Sequence, residues 1–185
     1  KLVFRENGEV VQVEAWGEDS VRVRSRFLGD ILEETCGALT EEPVVKQGTV
    51  EIVDEWNASF TNGRMKVHMY VNGWGNALQM TFSNEKGEVL LREISNGGAL
   101  CRKARYYRTL PGGSFLAKAV FEANPEEKIY GMGQYQQERM NLKGCNLELA
   151  HRNSQASVPF YVTTLGYGFL WNNPAVGVEQ FGTAT

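Results

Sequence analysis

Aspartate is scarce in this chain. Three are present, Asp19, Asp30 and Asp54, among 22 acidic residues in 185. All three fall early, in turn or strand-edge contexts, and the many glutamates form no paired motif. Histidine is rarer still. His68 and His151 have no Ser or Cys motif nearby, which argues against a nucleophilic triad. Cys36, Cys101 and Cys145 are odd in number and widely spaced, with no CxxC and no Cys/His cluster. Neither a zinc site nor a disulfide framework follows, and no metal or cofactor is expected. Sparse, unpaired cysteine fits a reducing compartment, so a cytoplasmic location is the expectation. No apolar run is long enough to span a bilayer, and no charged-then-apolar leader is present, so no membrane partner is expected. The net charge of −3 argues against a nucleic-acid surface, which needs a basic stripe. Arg22, Arg24 and Arg26 alternate along one segment, which reads as a solvated strand face. No segment carries the periodicity of a helix of three or more turns.

Period-two alternation is abundant instead. Val11, Val13 and Ala15 alternate with Gln12 and Glu14, and Val21, Val23, Ser25 and Phe27 alternate with the arginines. Each predicts a half-buried strand, joined through Gly17–Ser20. Residues 29–47 lack periodicity and predict a loop, with one helical turn near Ile31–Thr35. Strand signals resume at Val50–Trp56, with a turn at Asn57-Ala58, then Ser59–Thr61 and a hairpin turn at Asn62-Gly63. Met65–Val71, Leu78–Phe82 and Val89–Ile94 follow, separated by turns at Asn72-Gly73 and Asn84–Gly87. Beyond Asn96–Gly98, Leu100–Leu110 predicts a strand with basic residues interleaved. Pro111-Gly112-Gly113 breaks it, and Phe115–Phe121 is the next strand. Asn124-Pro125-Glu126-Glu127 has the composition of a capped single helical turn. His68 lies opposite the apolar face of its strand and reads as a surface residue. About a dozen strands with turns every 8–12 residues predict an antiparallel β-sandwich with very little helix, built as one domain over residues 1–185.

The stretch from Tyr130 to Pro174 organises the rest. It opens Tyr130-Gly131-Met132-Gly133-Gln134, where two glycines flank one residue at the end of a strand and let the backbone turn or approach closely. A polar, amide-rich loop follows to Asn141, then Lys143-Gly144. Leu147–Asn153 leads to Val158-Pro159-Phe160-Tyr161-Val162, and Leu165-Gly166-Tyr167-Gly168-Phe169-Leu170-Trp171-Asn172-Asn173-Pro174 closes the run. A lone Gly131-x-Gly133 is not a nucleotide loop, because no third glycine or phosphate-binding helix follows. The aromatics here are dense enough on strands that packing in a core or domain interface outweighs stacking on sugar rings.

These parts, in this order and spacing, resemble the N-terminal β-sandwich of glycoside hydrolase family 31, the α-glucosidase and α-xylosidase family. The resemblance rests on Tyr130, Gly131, Gly133 and Gln134, on Gly144, and on Pro159, Gly166 and Gly168. It implies a supersandwich of the galactose mutarotase type. It also implies a fragment without its last strands and without the (β/α)8 barrel that carries the family's carboxylates. Retaining glycosidases need two such groups about 5–5.5 Å apart, and no Trp-x-Asp-Met motif occurs here. The resemblance therefore implies a non-catalytic domain, inactive alone, that braces its barrel and lends one loop to the pocket for an oligosaccharide substrate. His151, Arg152, Asn153 and Gln155 occupy that loop, with Asn153 where the family often has Asp and Gln134 where it usually has Glu. Self-association through exposed strand edges is a corollary. A free-standing carbohydrate-binding module is the second reading. An aldose epimerase, which wants a His acid and a carboxylate base in one cleft, is the third.

Overall fold

The computed structural model describes residues 1–33, 38–39, 48–72, 77–95 and 102–182. Among these the secondary structure is strand throughout, fifteen in all, with every pairing antiparallel. The chain divides into two compact units, residues 1–34 with 40–122, and residues 35–39 with 123–185.

The first unit contains three sheets. β1 (Leu2–Glu6), β2 (Glu9–Ala15) and β3 (Val21–Phe27) form one, in sequence order. β4 (Thr49–Ile52), β5 (Asn57–Asn62), β6 (Met65–Asn72), β7 (Ala77–Ser83) and β8 (Val89–Arg92) form a five-stranded meander. β9 (Arg105–Thr109) and β10 (Phe115–Ala119) make a two-stranded ribbon. Leu2, Val11 and Val13 of the first sheet share one core with Phe60, Val67, Met69, Leu78 and Met80 of the second. Two sheets closing over one apolar layer is the sandwich that the period-two pattern predicts. Phe60 is 1% exposed, and its truncation to Ala costs about 3–5 kcal/mol.

Several local expectations are corrected. The arginine face of β3 is not solvated. The side chains of Arg22 and Arg24 are 13% and 14% exposed, both contact the Glu14 carboxylate of β2, and Arg22 lies 4.7 Å over the Trp16 ring. Cross-strand pairing of opposite charges makes this second face half-buried. The turn expected at Asn57-Ala58 lies earlier, because the Asp54 carboxylate accepts from Trp56 N at 2.7 Å and from Asn57 Nδ2 at 3.0 Å, and Asn57 already belongs to β5. The turn expected at Asn62-Gly63 sits one residue on. Asn62 pairs with Met65, Gly63 takes φ +54°, and the buried Asn62 amide donates to Gly17 O and Ser20 O at 2.9 and 2.7 Å. Asn62 therefore pins the neighbouring hairpin instead of forming the tip.

β1 escaped the sequence reading, although Asn7-Gly8 behind it, at φ +48° and +81°, is a type I′ hairpin pair. Ile31–Glu33 is not helical, and the rest of that expected turn lies outside the described residues, as do Cys36, Cys101 and the turns at Gly73 and Gly97-Gly98. The Asn124 cap is present, its Oδ1 accepting from Glu126 N at 3.0 Å, but it closes a single turn that never becomes helix. Of Leu100–Leu110, only Arg105–Thr109 is regular strand among the described residues.

The second unit pairs β11 (Ile129–Gln134), β13 (Ala156–Thr163) and β14 (Gly168–Leu170) in one sheet, and β12 (Asn146–Leu149) with β15 (Gly177–Gln180) in another. Ile129, Met132, Leu142, Leu147, Leu149, Tyr161 and Phe181 fill the space between them, with Tyr135, Tyr167, Phe169 and Trp171 packed against this core. The aromatics are thus mostly core. Phe160, at 44% exposed, and the half-buried Tyr130 are the exceptions.

Candidate functional site

The site begins at the glycine pair. Gly131, Met132 and Gly133 take φ of +122°, +70° and +93°, so three successive residues leave the extended region. The register on β13 jumps from Tyr161 opposite Gly131 to Ser157 opposite Gly133. This bulge turns the Met132 side chain into the core, where it is 2% exposed. Both glycines are sterically required. A Cβ at Gly131 would lie 2.6 Å from Phe160 O, and one at Gly133 would lie 2.2 Å from Ala156 O. Pro159 is accommodated in the irregular stretch of β13, where the ladder asks for no N–H from it, and its carbonyl accepts from Trp171 N at 2.9 Å. A non-glycine apolar residue at positive φ is uncommon, and such strain collects at working sites.

Other parts of the motif are scaffold. Asn141 Oδ1 accepts from Ile129 N at 3.0 Å, which ties the polar loop back to the start of β11, and Gly144 N donates to Phe181 O at 2.5 Å. Gly166 closes the β13–β14 hairpin, its N–H donating to Thr163 O at 3.1 Å. Gly168 faces the Phe160 ring, which a Cβ would meet at 3.0 Å. Tyr130 is half-buried on β11, opposite Val162.

Past the bulge, Gln134, Tyr135 and Gln136 form one wall of an open cleft of about 410 Å³. The other wall is the segment Arg152–Ala156. Arg152 and Gln155 bridge through Arg152 N to Gln155 O at 3.3 Å and Gln155 N to Arg152 O at 3.1 Å, so Asn153 and Ser154 are the tip of a tight turn. Of the residues singled out in the sequence, Arg152, Asn153 and Gln155 line this cleft together with Gln134. His151 does not. Its Nδ1 accepts from Ser157 N at 3.4 Å, which closes the base of the turn. Arg152 gives Nε and Nη2 to Glu148 Oε2, so its charge is matched before any ligand arrives.

Two positioning residues went unnoticed in the sequence. The Tyr135 hydroxyl lies 3.0 Å from Glu148 O and 2.8 Å from Ser157 Oγ, donating to the carbonyl and accepting from the serine. It therefore clamps the strands on either side of the turn. The Glu148–Arg152 pair was legible as an i, i+4 charge pattern, whereas nothing in the local sequence marks Tyr135. Among the described residues the lining is amide, hydroxyl and one neutralised guanidinium, with no carboxylate. Such a surface offers donors and acceptors to an uncharged polyol and holds nothing that could serve as a catalytic acid pair.

Carboxylates do converge elsewhere, in the first unit. Glu9 and Glu93 both contact Arg105, Glu9 through Nε at 2.9 Å and Glu93 through Nη1. Glu93 is 1% exposed and also accepts from Met80 N at 2.9 Å. Ser25 Oγ donates to Glu9 at 2.6 Å, and Tyr107 OH donates to Ser25 at 2.5 Å. Burial pushes the Glu93 carboxyl up, and Arg105 is the largest opposing influence. Burial acts to discharge Arg105, but Glu93 and then Glu9 hold the guanidinium above its ordinary value. The adjoining cavity measures about 10 Å³, room for roughly one water and not for a sugar ring. This is a framework ion cluster. Among the described residues no group of three or more His, Cys, Asp or Glu has the spacing of a metal site.

In the second unit, burial pushes the Tyr161 and Tyr167 hydroxyls up, and Tyr167 donates to Glu127 at 2.8 Å. Burial alone pushes the Glu179 carboxyl on β15 up to about 7.

No family model matches the chain. It is 39% identical to an uncharacterized family 31 glucosidase, ORF2, of Pseudescherichia vulneris, over 97% of this chain and 36% of that protein. Among solved structures it matches a GH31 α-xylosidase from a soil metagenome, complexed with xylose, at a TM-score of 0.86 and 39% identity. That match covers 98% of this chain and 28% of the other. A xylosidase from Aspergillus niger matches at a TM-score of 0.72 and 26% identity, covering 98% of this chain and 27% of that one. The chain thus spans about a third of the length of the relatives it matches.

Proposed function

Starting from a chain that is a β-sandwich segment of glycoside hydrolase family 31, we propose that it serves as a non-catalytic N-terminal domain of a retaining α-glycosidase. It braces the catalytic barrel and supplies the Arg152–Gln155 turn as one wall of the substrate pocket. The observation that carries this reading is the composition of the cleft. Among the described residues its lining holds no carboxylate, and Glu9 and Glu93, which converge in the first unit, are locked on Arg105. The relatives bear names of glucosidases and xylosidases and are about three times as long, which supports placing the reacting groups in a part this chain does not span.

The outward side of β13 supports the bracing role. Val158, Phe160 and Val162 are 51%, 44% and 45% exposed on one face. Such a row suits a surface that is covered in a larger protein. The chain alone self-associates through this face or through the exposed edge strand β4; a strictly monomeric light-scattering mass at high concentration contradicts that. The test of the pocket role is Asn153→Ala in the full-length enzyme, which raises KM for an aryl α-xyloside or α-glucoside or changes leaving-group preference. Unchanged kinetics refute the assignment. Incubation of the 185-residue chain alone with the same glycosides releases no aglycone. Saturable release in proportion to the chain overturns the non-catalytic reading.

A further inference from the structure

From Ile94 to Phe121 the chain holds no acidic residue, though 22 acids are spread over the rest, and it holds five cations, Arg102, Lys103, Arg105, Arg108 and Lys118. Arg105 is spent inside on Glu9 and Glu93. The β9–β10 register sets Lys118 opposite Tyr106 and Leu116 opposite Arg108. The strand period then sorts the ribbon into two faces. Tyr107 and Phe115 turn inward, with Tyr107 stacked on Phe27 and Phe115 edge-on to it. Tyr106, Arg108, Leu116 and Lys118 are left on the outer face, all exposed. The Lys118 ammonium lies 6.0 Å from the Tyr106 ring centroid. Neither Arg108 nor Lys118 has a salt bridge among the described residues.

We propose that this outer face of the β9–β10 ribbon docks an anionic polysaccharide, with a sugar ring against Tyr106 and the carboxylates of neighbouring sugars on Arg108 and Lys118. Cations left unmatched on an otherwise acidic protein attract an anion. A planar guanidinium takes a carboxylate through two parallel hydrogen bonds. One exposed ring cannot stack a run of bases, which argues against single-stranded nucleic acid. A flexible acidic peptide forfeits more conformational freedom on a flat ribbon than a stiff sugar chain does. The choice of a polysaccharide rests on the reading of the chain as part of a sugar-processing enzyme.

The experiment titrates the 185-residue chain with oligogalacturonate, and with neutral dextran, poly-glutamate and oligo(dT) as comparators, at low and high salt. Oligogalacturonate binds at low salt and weakens as salt is raised, and dextran does not bind. The double variant R108E/K118E binds about ten-fold or more weakly, as expected for reversing two exposed contacts. Tyr106→Ala weakens oligogalacturonate but leaves poly-glutamate binding unchanged. K86E, an equal kind of charge change on the exposed turn after β7, leaves binding as it was. Absence of oligogalacturonate binding, equal binding of dextran, tighter binding of oligo(dT) or poly-glutamate, or an equal loss with K86E each overturns the proposal. None of these outcomes alters the Asn153→Ala measurement, which tests the pocket reading separately.

Discussion

The two units differ in where their most polar clusters lie. In the first, several polar groups turn inward and meet partners there: Arg105 on Glu9 and Glu93, Arg24 on Glu14, and the Asn62 amide nitrogen on two carbonyls, while Arg24 Nε and Asn62 Oδ1 stay buried without a hydrogen bond. In the second, the backbone is forced through three positive φ values, and the amides beyond that point are left facing an open cleft. A buried polar group that has its partners rigidifies a fold, while an exposed one with unused donors is available to a ligand. The contrast separates framework from working surface more clearly than residue type does, since both regions contain Glu, Arg and Gln.

The strongest way to break this contrast is to remove the guanidinium at the centre of the first unit. Arg105→Leu leaves Glu93 buried without its counter-charge and destabilises by about 3–5 kcal/mol, read as a lower urea midpoint. If the midpoint is unchanged, the cluster is not framework. Next in size is Gly133→Ala, which adds a Cβ 2.2 Å from Ala156 O at φ +93° and costs about 2–4 kcal/mol, whereas Gly144→Ala, at φ +79° but in open space, costs about 1 kcal/mol. Equal losses at the two glycines would remove the claim that the bulge is a close approach.

A pH dependence distinguishes the second unit further. The Glu179 carboxyl titrates near 7 in the folded chain and near its ordinary value when unfolded. Between those values the folded state holds the extra proton, so stability is lost as pH rises from about 4.5 to about 7 and is level beyond. Glu179→Gln abolishes this slope and leaves the protein more stable at pH 8 by about 1–2 kcal/mol, discounted for partial exposure. Amide exchange in β12 and β15 at pH 5 and 8 checks it; an identical slope in the variant refutes the assignment. The smallest effect belongs to the cleft. Tyr135→Phe costs about 1 kcal/mol and speeds exchange at Ser157 and Gln155 while β6 and β7 are untouched. Uniform change across both units would show that Tyr135 is only a packing residue.

Much of this architecture was legible beforehand because its causes are local. Alternation of apolar and polar residues dictates strands whatever surrounds them, and Gly131-x-Gly133 announces a backbone that needs freedom. Errors arose where a distant group competed. Asn62 abandons the turn tip because carbonyls from Gly17 and Ser20, more than forty positions away, offer it buried hydrogen bonds. The arginines of β3 looked solvated because Glu14 faces them only after the strands pair.

The linear order of residues was therefore sufficient for the all-β class and the antiparallel pairing, since period-two patterning and turn chemistry act over a few neighbours, while the polar loop at His151–Gln155 came from the family resemblance. Only the tertiary structure decided that His151 closes the base of that turn, that Arg152 arrives already paired, and that Glu9 and Glu93 meet on one guanidinium. Those outcomes depend on which strands lie side by side, and electrostatic and steric forces between remote segments become strong only once water has been excluded from between them.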